Sequence, residues 1–159
     1  GNIHPGEDPD LSIRLWKLGY KTKLISKAFV YHKRRIDWDK FSIQVNKFGK
    51  ARPILDSWYP KYRKITFWFP TLFCLGFLVA IALYAFGISL LFQCYALYFA
   101  ILFLSGIIEN ASLKIGFLAV IAAIIQFYGY GIGFFKSFFR ITVLKKQPEK
   151  AFPELFFKK

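Results

Sequence analysis

The stretch GEDPDLSIRL, residues 6–15, places three carboxylates at the start of a predicted helix. Asp8 has the residue type of an N-cap, and Pro9 falls at the first helical position, where its missing N–H costs nothing. Apolar side chains then recur at helical spacing: Leu11, Leu15 and Leu18. Gly19 predicts the end of the helix. A carboxylate held at a helix start stays ionised and can accept a proton, but acidic residues in a first turn are also ordinary caps, so both interpretations stay open.

Further motifs follow this helix in a recognisable order. They are Gly19-Tyr20, Val30-Tyr31-His32 and Arg34-Arg35. Together with residues 6–15 they resemble the carboxyl-terminal part of the catalytic domain in family 2 glycosyltransferases of the GT-A fold. The resemblance implies that Asp8 is the general base and Glu7 its neighbour. It also implies an α+β fragment, in which residues 1–60 form the carboxyl-terminal edge of a GT-A α/β domain and a mostly helical membrane region follows.

The chain contains no methionine and opens in mid-motif, which predicts a fragment that lacks an amino-terminal half. By the resemblance, that half would bind the nucleotide-sugar donor and most of a divalent metal, Mg²⁺ or Mn²⁺, through an Asp-x-Asp motif. The fragment alone is then expected to be inactive. His32 follows a β-prone run; the resemblance implies a weak metal or pyrophosphate ligand, and a hydrogen-bonded structural histidine is the alternative.

Charge and hydrophobicity are segregated along the sequence. Residues 1–64 carry 15 Lys and Arg against 6 Asp and Glu, residues 65–135 carry only Lys114 and Glu109, and residues 136–159 carry 7 against 2. This pattern is typical of a membrane protein that contacts anionic lipids. A nucleic-acid binder would interleave aromatic and basic residues, whereas most aromatic residues here lie in the uncharged runs, so we expect no nucleic-acid partner.

The segment after the first helix predicts one or two strands, near Lys23–Ile25 and Phe29–Tyr31. Asp37 is a second candidate N-cap. The helix that it begins has apolar residues on one face: Trp38, Phe41, Val45 and Phe48. An aromatic face of this kind favours packing on the catalytic domain, with contact to a membrane surface as the alternative.

Gln44 and Arg52 are the candidate acceptor-binding residues. The segment between them resembles the place where processive relatives carry Gln-x-x-Arg-Trp, but here Val45-Asn46-Lys47 follows Gln44, and Pro53 follows Arg52. This departure favours transfer of a single sugar over polymer synthesis.

Residues 61–135 are predicted to form membrane helices at about 65–86, 90–108 and 115–135. Each run is long enough to cross a hydrocarbon core of about 30 Å at 1.5 Å per residue. Trp58, Tyr59 and Tyr62 lie among basic residues just before the first run, as expected at a headgroup layer.

Cys74 and Cys94 lie in separate apolar runs and are interpreted as core residues. Glycines at positions 129, 131 and 133 weaken the third helix but permit close approach of another element.

Residues 136–159 combine lysines with phenylalanines and are predicted to form an interfacial tail. The positive-inside rule places both basic ends in the cytosol, which requires an even number of crossings, yet there are three apolar runs. Either the third run is re-entrant or tilted, or the tail is external.

These observations predict a multi-pass cell-membrane protein with a cytoplasmic catalytic part. The resemblance implies an inverting, hexosyltransferase-type enzyme that acts on a nucleotide-sugar donor and a lipid-linked or cell-surface polysaccharide acceptor. The alternative is a small basic membrane protein or assembly subunit without enzymatic activity, in which the carboxylates at residues 7–10 are only a helix cap.

Overall fold

A computed structural model describes residues 2–31 and 37–157. Its six α-helices are α1 Glu7–Lys17, α2 Trp38–Trp58, α3 Phe69–Ala85, α4 Leu90–Asn110, α5 Leu113–Phe138 and α6 Pro148–Ala151. Short 3-10 turns lie at Pro60–Tyr62, Ile65–Trp68 and Pro153–Leu155, and α5 continues into a π-helical turn at Phe139–Val143.

The predicted α+β architecture with a GT-A α/β edge is wrong. Neither Lys23–Ile25 nor Phe29–Tyr31 forms a strand, and within residues 2–31 and 37–157 the regular elements are all helical. Leu24 is 93% exposed and Tyr31 is 95% exposed. An extended segment becomes a strand only when a neighbour takes its N–H and C=O groups, and no described segment lies beside these two runs. Among the described residues, the one β-type contact is an isolated bridge between Ile3 and Phe156.

Helix α1 differs from its prediction in two ways. Gly6, with φ of 130°, occupies the N-cap position, so Asp8 lies inside the first turn and its predicted cap role is wrong. The leucine face is also largely exposed, and α1 buries Asp10 and Ile13 instead. The predicted end is confirmed, since the helix ends at Lys17 and Gly19 follows with φ of 85°, a conformation that favours glycine.

Helix α2 begins as the sequence predicts. Asp37 Oδ1 accepts hydrogen bonds from the backbone N–H groups of Asp39 at 2.9 Å and Lys40 at 3.1 Å. Of the predicted apolar face, Val45 is buried, whereas Trp38 and Phe48 remain 40% and 45% exposed. The rest of the buried face lies later in the helix: Gly49, Ala51, Pro53, Ile54 and Leu55.

Three helical segments are long and apolar enough to cross a membrane: Ile65–Ala85, Leu90–Asn110 and Leu113–Val143. None of the residues of α4 is buried. Leu97, Ile101 and Leu104 are each more than half exposed. Such a continuous apolar surface is unfavourable in water and suits a lipid environment.

The glycines near the end of α5 do not interrupt the helix. They allow its backbone to approach α2 and α3, as predicted. A Cβ atom at Gly131 would lie 2.9 Å from the Pro70 carbonyl oxygen, and one at Gly133 would overlap the Asn46 carbonyl oxygen. On the facing side, a Cβ at Gly49 would overlap the carbonyl oxygen of Tyr130.

The three apolar helices form two consecutive hairpins. Tyr84 of α3 packs on Phe92 of α4 with ring centroids 5.0 Å apart. Phe103 of α4 packs on Phe117 of α5 at 4.8 Å. If all three helices were aligned on one axis, α3 and α5 would therefore run in the same direction.

The contacts between α3 and α5 follow the opposite order. Phe73 of α3 stacks on Phe127 at 4.0 Å, and Trp68, the last residue of the 3-10 turn that leads into α3, packs on the later residue Phe134 at 4.9 Å. The contact order is thus antiparallel in each of the three helix pairs. Three helices on one common axis cannot all be antiparallel to one another, so these helices cross obliquely. The chain consequently enters and leaves the apolar unit at adjacent points, and both lie beside α2.

The tail returns to the first residues of the chain. The His4 N–H donates to the Leu155 carbonyl oxygen at 2.7 Å. Ile3, Ile54, Phe152 and Leu155 are all less than 2% exposed and belong to one apolar cluster. The two basic ends therefore lie at the same end of the apolar unit.

Candidate functional site

A pocket of about 400 Å³ lies between the first turn of α1 and one face of α2. Residues 4–9 form one wall, and Ile43, Gln44, Lys47 and Phe48 form the other. Two of the carboxylates predicted from the sequence, Glu7 and Asp8, lie on this wall. The structure thus brings three of the predicted site residues, Glu7, Asp8 and Gln44, to one cavity.

Glu7 is held by a neighbour that sequence reasoning missed. Its Oε1 lies 2.7 Å from His4 Nδ1. Its backbone N–H lowers the pKa of the Glu7 carboxyl, partial burial opposes this effect, and the contact with His4 lowers the pKa further. Its second oxygen, Oε2, is buried and has no hydrogen-bond partner among the described residues. The Glu7 carboxylate is therefore ionised, with Oε1 paired to His4 and Oε2 closed to solvent.

Asp8 is exposed in the same turn. No ion pair or hydrogen bond to its carboxylate occurs in the part of the chain that the structure describes. A carboxylate at a helix start, in a pocket and without an internal partner, is placed to accept a proton from a bound hydroxyl group.

Asp10 is the third carboxylate, and it anchors the helix. It is 2% exposed. The Tyr59 hydroxyl donates to its Oδ1 at 2.5 Å, and Arg14 Nε donates to its Oδ2 at 3.0 Å. These contacts connect α1 to the residue that follows α2, so they fix the orientation of the helix that carries Glu7 and Asp8.

Arg52 does not line the pocket that contains Gln44. It lines a second pocket of about 230 Å³ on the other side of Phe48. Its Nη2 lies 2.9 Å from Asp56 Oδ1, and its guanidinium lies 3.8 Å from the centre of the Phe67 ring. Burial raises the pKa of Asp56, and the nearby Arg52 charge opposes that change. Arg52 is therefore engaged by its own chain.

The described residues do not fit a metal site. They contain no group of three or more His, Cys, Asp or Glu side chains that could hold an ion. His32, the weak candidate ligand, lies outside the described residues. No chemical step is therefore assigned to a metal.

The sequence placed Asp10 among the carboxylates at the helix start and Tyr59 at the headgroup layer, but it predicted neither their hydrogen bond nor the contact of His4 with Glu7. His4 lies outside α1, three residues before Glu7, and the contact forms across the bend at Pro5, so no helical spacing indicates it. The pairing of Asp10 with Tyr59 joins residues 49 positions apart, and no local pattern indicates it.

The first 135 residues match the model of a protein family described as Glycosyl transferase family group 2. No match was found among curated proteins or solved structures. The family match covers both helices that line the pocket and most of the apolar unit.

Proposed function

Because the chain belongs to the glycosyl transferase family group 2, we propose that it is part of an inverting transferase anchored in the cell membrane. The enzyme moves a sugar from a nucleotide-sugar donor to a lipid-linked or cell-surface polysaccharide acceptor. The observation that carries this proposal is the pocket that Glu7, Asp8 and Gln44 share. Family membership favours this function over a non-enzymatic membrane subunit.

Asp8 acts as the general base. The acceptor hydroxyl oxygen forms a bond to the anomeric carbon, the bond from that carbon to the diphosphate oxygen breaks, and the hydroxyl proton passes to Asp8. Attack from the face opposite the leaving group inverts the configuration. No described residue competes for the Asp8 carboxylate, which supports this role.

Glu7 and Gln44 position the acceptor. The Glu7 side chain lies on the pocket wall, and its Oε1 atom accepts a hydrogen bond from an acceptor hydroxyl in addition to its contact with His4. Gln44 offers an amide on the opposite wall, which can donate and accept. Arg52 acts indirectly, through Asp56 and Phe67, by fixing the segment that leads into α3.

The catalytic part lies on the cytoplasmic side. Two observations support this location. Residues 1–64 and residues 136–159 each carry excess positive charge. These two segments also contact each other at one end of the apolar unit. Positively charged segments next to membrane helices are retained in the cytosol.

The test is made in the full-length protein with Asp8→Asn. Transfer is expected to be abolished while donor binding stays nearly intact, because the amide keeps the shape of the carboxylate and cannot take the proton. Asp39→Asn is the matched control, since Asp39 is also exposed in a first helical turn but does not line the pocket. Unchanged turnover in Asp8→Asn would exclude Asp8 as the base.

A further inference from the structure

The tail pairs with the residues that lead into the candidate site. The His4 N–H donates to the Leu155 carbonyl oxygen at 2.7 Å. The Phe157 N–H donates to the Asn2 carbonyl oxygen at 3.4 Å, so the two segments run antiparallel. His4 also forms part of the pocket wall. The tail therefore lies against the backbone from which that wall begins.

The tail is anchored on α2, the helix that forms the opposite wall of the pocket. Glu154 Oε1 lies 3.0 Å from Lys50 Nζ of this helix. Phe152 and Leu155 are each less than 2% exposed, and they belong to the same apolar cluster as Ile54 of α2. Burial of two such side chains away from water holds the segment in place. The tail thus connects α2 to the residues that precede α1.

A series of side-chain contacts runs from the tail into the pocket. The ring centroids of Phe157 and His4 are 6.1 Å apart, and the ring planes are inclined at 35°. His4 Nδ1 lies 2.7 Å from Glu7 Oε1. Because an ionised carboxylate only accepts hydrogen bonds, Nδ1 is the donor. Tilted ring pairs at this separation attract each other, so Phe157 limits the orientations of the His4 ring, and His4 limits those of the Glu7 carboxylate.

The side chains in this series are too exposed to contribute much to folding. Those of His4 and Glu7 are 60% and 44% exposed, and Phe157 is 55% exposed. Charged pairs at such exposure add little to stability. The tail also lies beyond the 135 residues that match the family. A contribution to stability therefore does not account for the alignment of these three side chains, and the family match does not include it.

We propose that the tail positions the Glu7 carboxylate through His4. Phe157 holds the His4 ring, and the hydrogen bond from His4 holds the Glu7 carboxylate on the pocket wall, where the acceptor hydroxyl binds. His4 and Phe157 are positioning residues, because neither exchanges a proton or a bond with the substrate. This inference rests on the proposed function and adds the tail to its site.

The test uses membranes that contain the full-length protein, and transfer is measured as incorporation of radiolabelled hexose from UDP-linked and GDP-linked donors. Phe157→Ala is expected to lower the maximal rate about tenfold, since misplacement of a positioning group costs up to about a hundredfold. The KM for the donor and the thermal midpoint should stay at their wild-type values, because Glu7 positions the acceptor and Phe157 is half exposed.

Phe139→Ala is the matched control. Phe139 is 46% exposed, lies in the π-helical turn after α5 and does not line the pocket. Its replacement should leave the rate unchanged. A wild-type rate in Phe157→Ala, or an equal loss in the two variants, would overturn the proposal.

Variants of His4 test the route of the effect. His4→Ala is expected to lower the rate by a similar factor, and His4→Asn is expected to retain most of it, because an amide nitrogen can donate in place of Nδ1. Phe157→Ala added to His4→Ala should cause no further loss, since both changes act through the same contact. A double variant in which the two losses multiply would show that the tail acts by another route, and the proposal would be wrong.

The contact is measured independently of activity by NMR of the full-length protein in detergent with isotope-labelled histidine. The signal of the His4 ring is the one that is missing from the spectrum of His4→Asn. In Phe157→Ala this signal is expected to move, because the ring current of Phe157 is lost, whereas Phe139→Ala should leave it in place. An unmoved His4 signal in Phe157→Ala would overturn the proposal.

These readouts separate the inference from the proposed function. If Asp8→Asn abolishes transfer while Phe157→Ala keeps the wild-type rate, only the role of the tail is wrong. If Asp8→Asn retains transfer while Phe157→Ala lowers the rate and moves the His4 signal, the role of the tail is supported and the assignment of the base falls.

Discussion

The Tyr59 hydroxyl donates a 2.5 Å hydrogen bond to Asp10 Oδ1 and thereby joins the end of α2 to the first turns of α1. Asp10 is almost fully buried. The carboxylates of Glu7 and Asp8 lie on the same helix as Asp10, one turn or less away. The geometry of the candidate site thus depends on a contact that lies outside the pocket.

Tyr59→Phe is expected to lower stability by about 1.5–3 kcal/mol, the range for a hydrogen bond to a charged and buried acceptor. It should also lower the transfer rate, because α1 loses an anchor. Thermal unfolding in detergent and steady-state transfer measure the two effects. Tyr20→Phe removes the same hydroxyl from a residue that is 65% exposed and should change neither. A Tyr59→Phe protein with unaltered unfolding would contradict the anchoring role.

Local sequence signals predicted where helices begin and end, and which runs are long and apolar enough to cross a membrane. Asp37 caps α2, Gly19 ends α1, and the first two apolar runs, predicted at about 65–86 and 90–108, contain the observed α3 and most of α4. Each of these features depends on residues within a few turns of one another. The sequence therefore contained enough information for them.

Features that depend on distant partners were not predicted. The leucine face of α1 suggested a buried side, but Leu18 is 73% exposed and Asp10 is buried, because Tyr59 and Arg14 satisfy that carboxylate. The two β-prone runs failed as strands for a related reason, since strand formation requires a second strand that their own sequence does not specify. Glu7, Asp8 and Gln44 were identified by a resemblance, whereas the pocket that they share follows from the packing of α1 near α2.

Acidification is expected to loosen the contact between the tail and α2. Burial is the largest single effect and opposes ionisation of Glu154. The hydrogen bond from Lys50, the Glu154 backbone N–H and the charges of Lys50 and Lys136 together outweigh it and hold the pKa of this carboxyl below its ordinary value of 4.5. A carboxyl with a lowered folded-state pKa stabilises the fold above its ordinary pKa, and the contribution is lost as the pH falls through the lowered value. The His4 amide bonds to the Leu155 carbonyl oxygen, so its hydrogen exchange reports on the tail. Below pH 4.5 its exchange rate should rise relative to the intrinsic rate at the same pH.

Glu154→Gln is expected to remove this pH dependence and to leave the tail loosened at neutral pH. Glu149→Gln is the control, because Glu149 is an exposed carboxylate on the neighbouring helix α6. If Glu149→Gln and Glu154→Gln give the same exchange profile, the ion pair with Lys50 does not hold the tail.

Gly133→Ala is expected to separate α5 from α2. The added Cβ overlaps the Asn46 carbonyl oxygen, and backbone atoms move less readily than a side-chain end. Overpacking of this kind costs about 1–3 kcal/mol. The measurement is the thermal midpoint in detergent, with Phe135→Ala as a control at a half-exposed position of the same helix. A midpoint for Gly133→Ala that equals the wild-type value would show that the two helices do not pack as closely as described.

The two basic ends of the chain are expected to lie on one side of the membrane. Trp68 at the entry to α3 packs on Phe134 near the end of α5, so the segments just outside these points share an end of the apolar unit. Lys61→Cys and Lys145→Cys are each introduced alone into full-length protein from which the other cysteines have been removed. Both variants should react with a membrane-impermeant maleimide from the same side of the membrane only. Inside-out and right-side-out vesicles distinguish the sides, and a detergent-solubilised sample controls for reactivity. Labelling of the two positions from opposite sides would require three straight crossings and would contradict the oblique arrangement of α3 and α5.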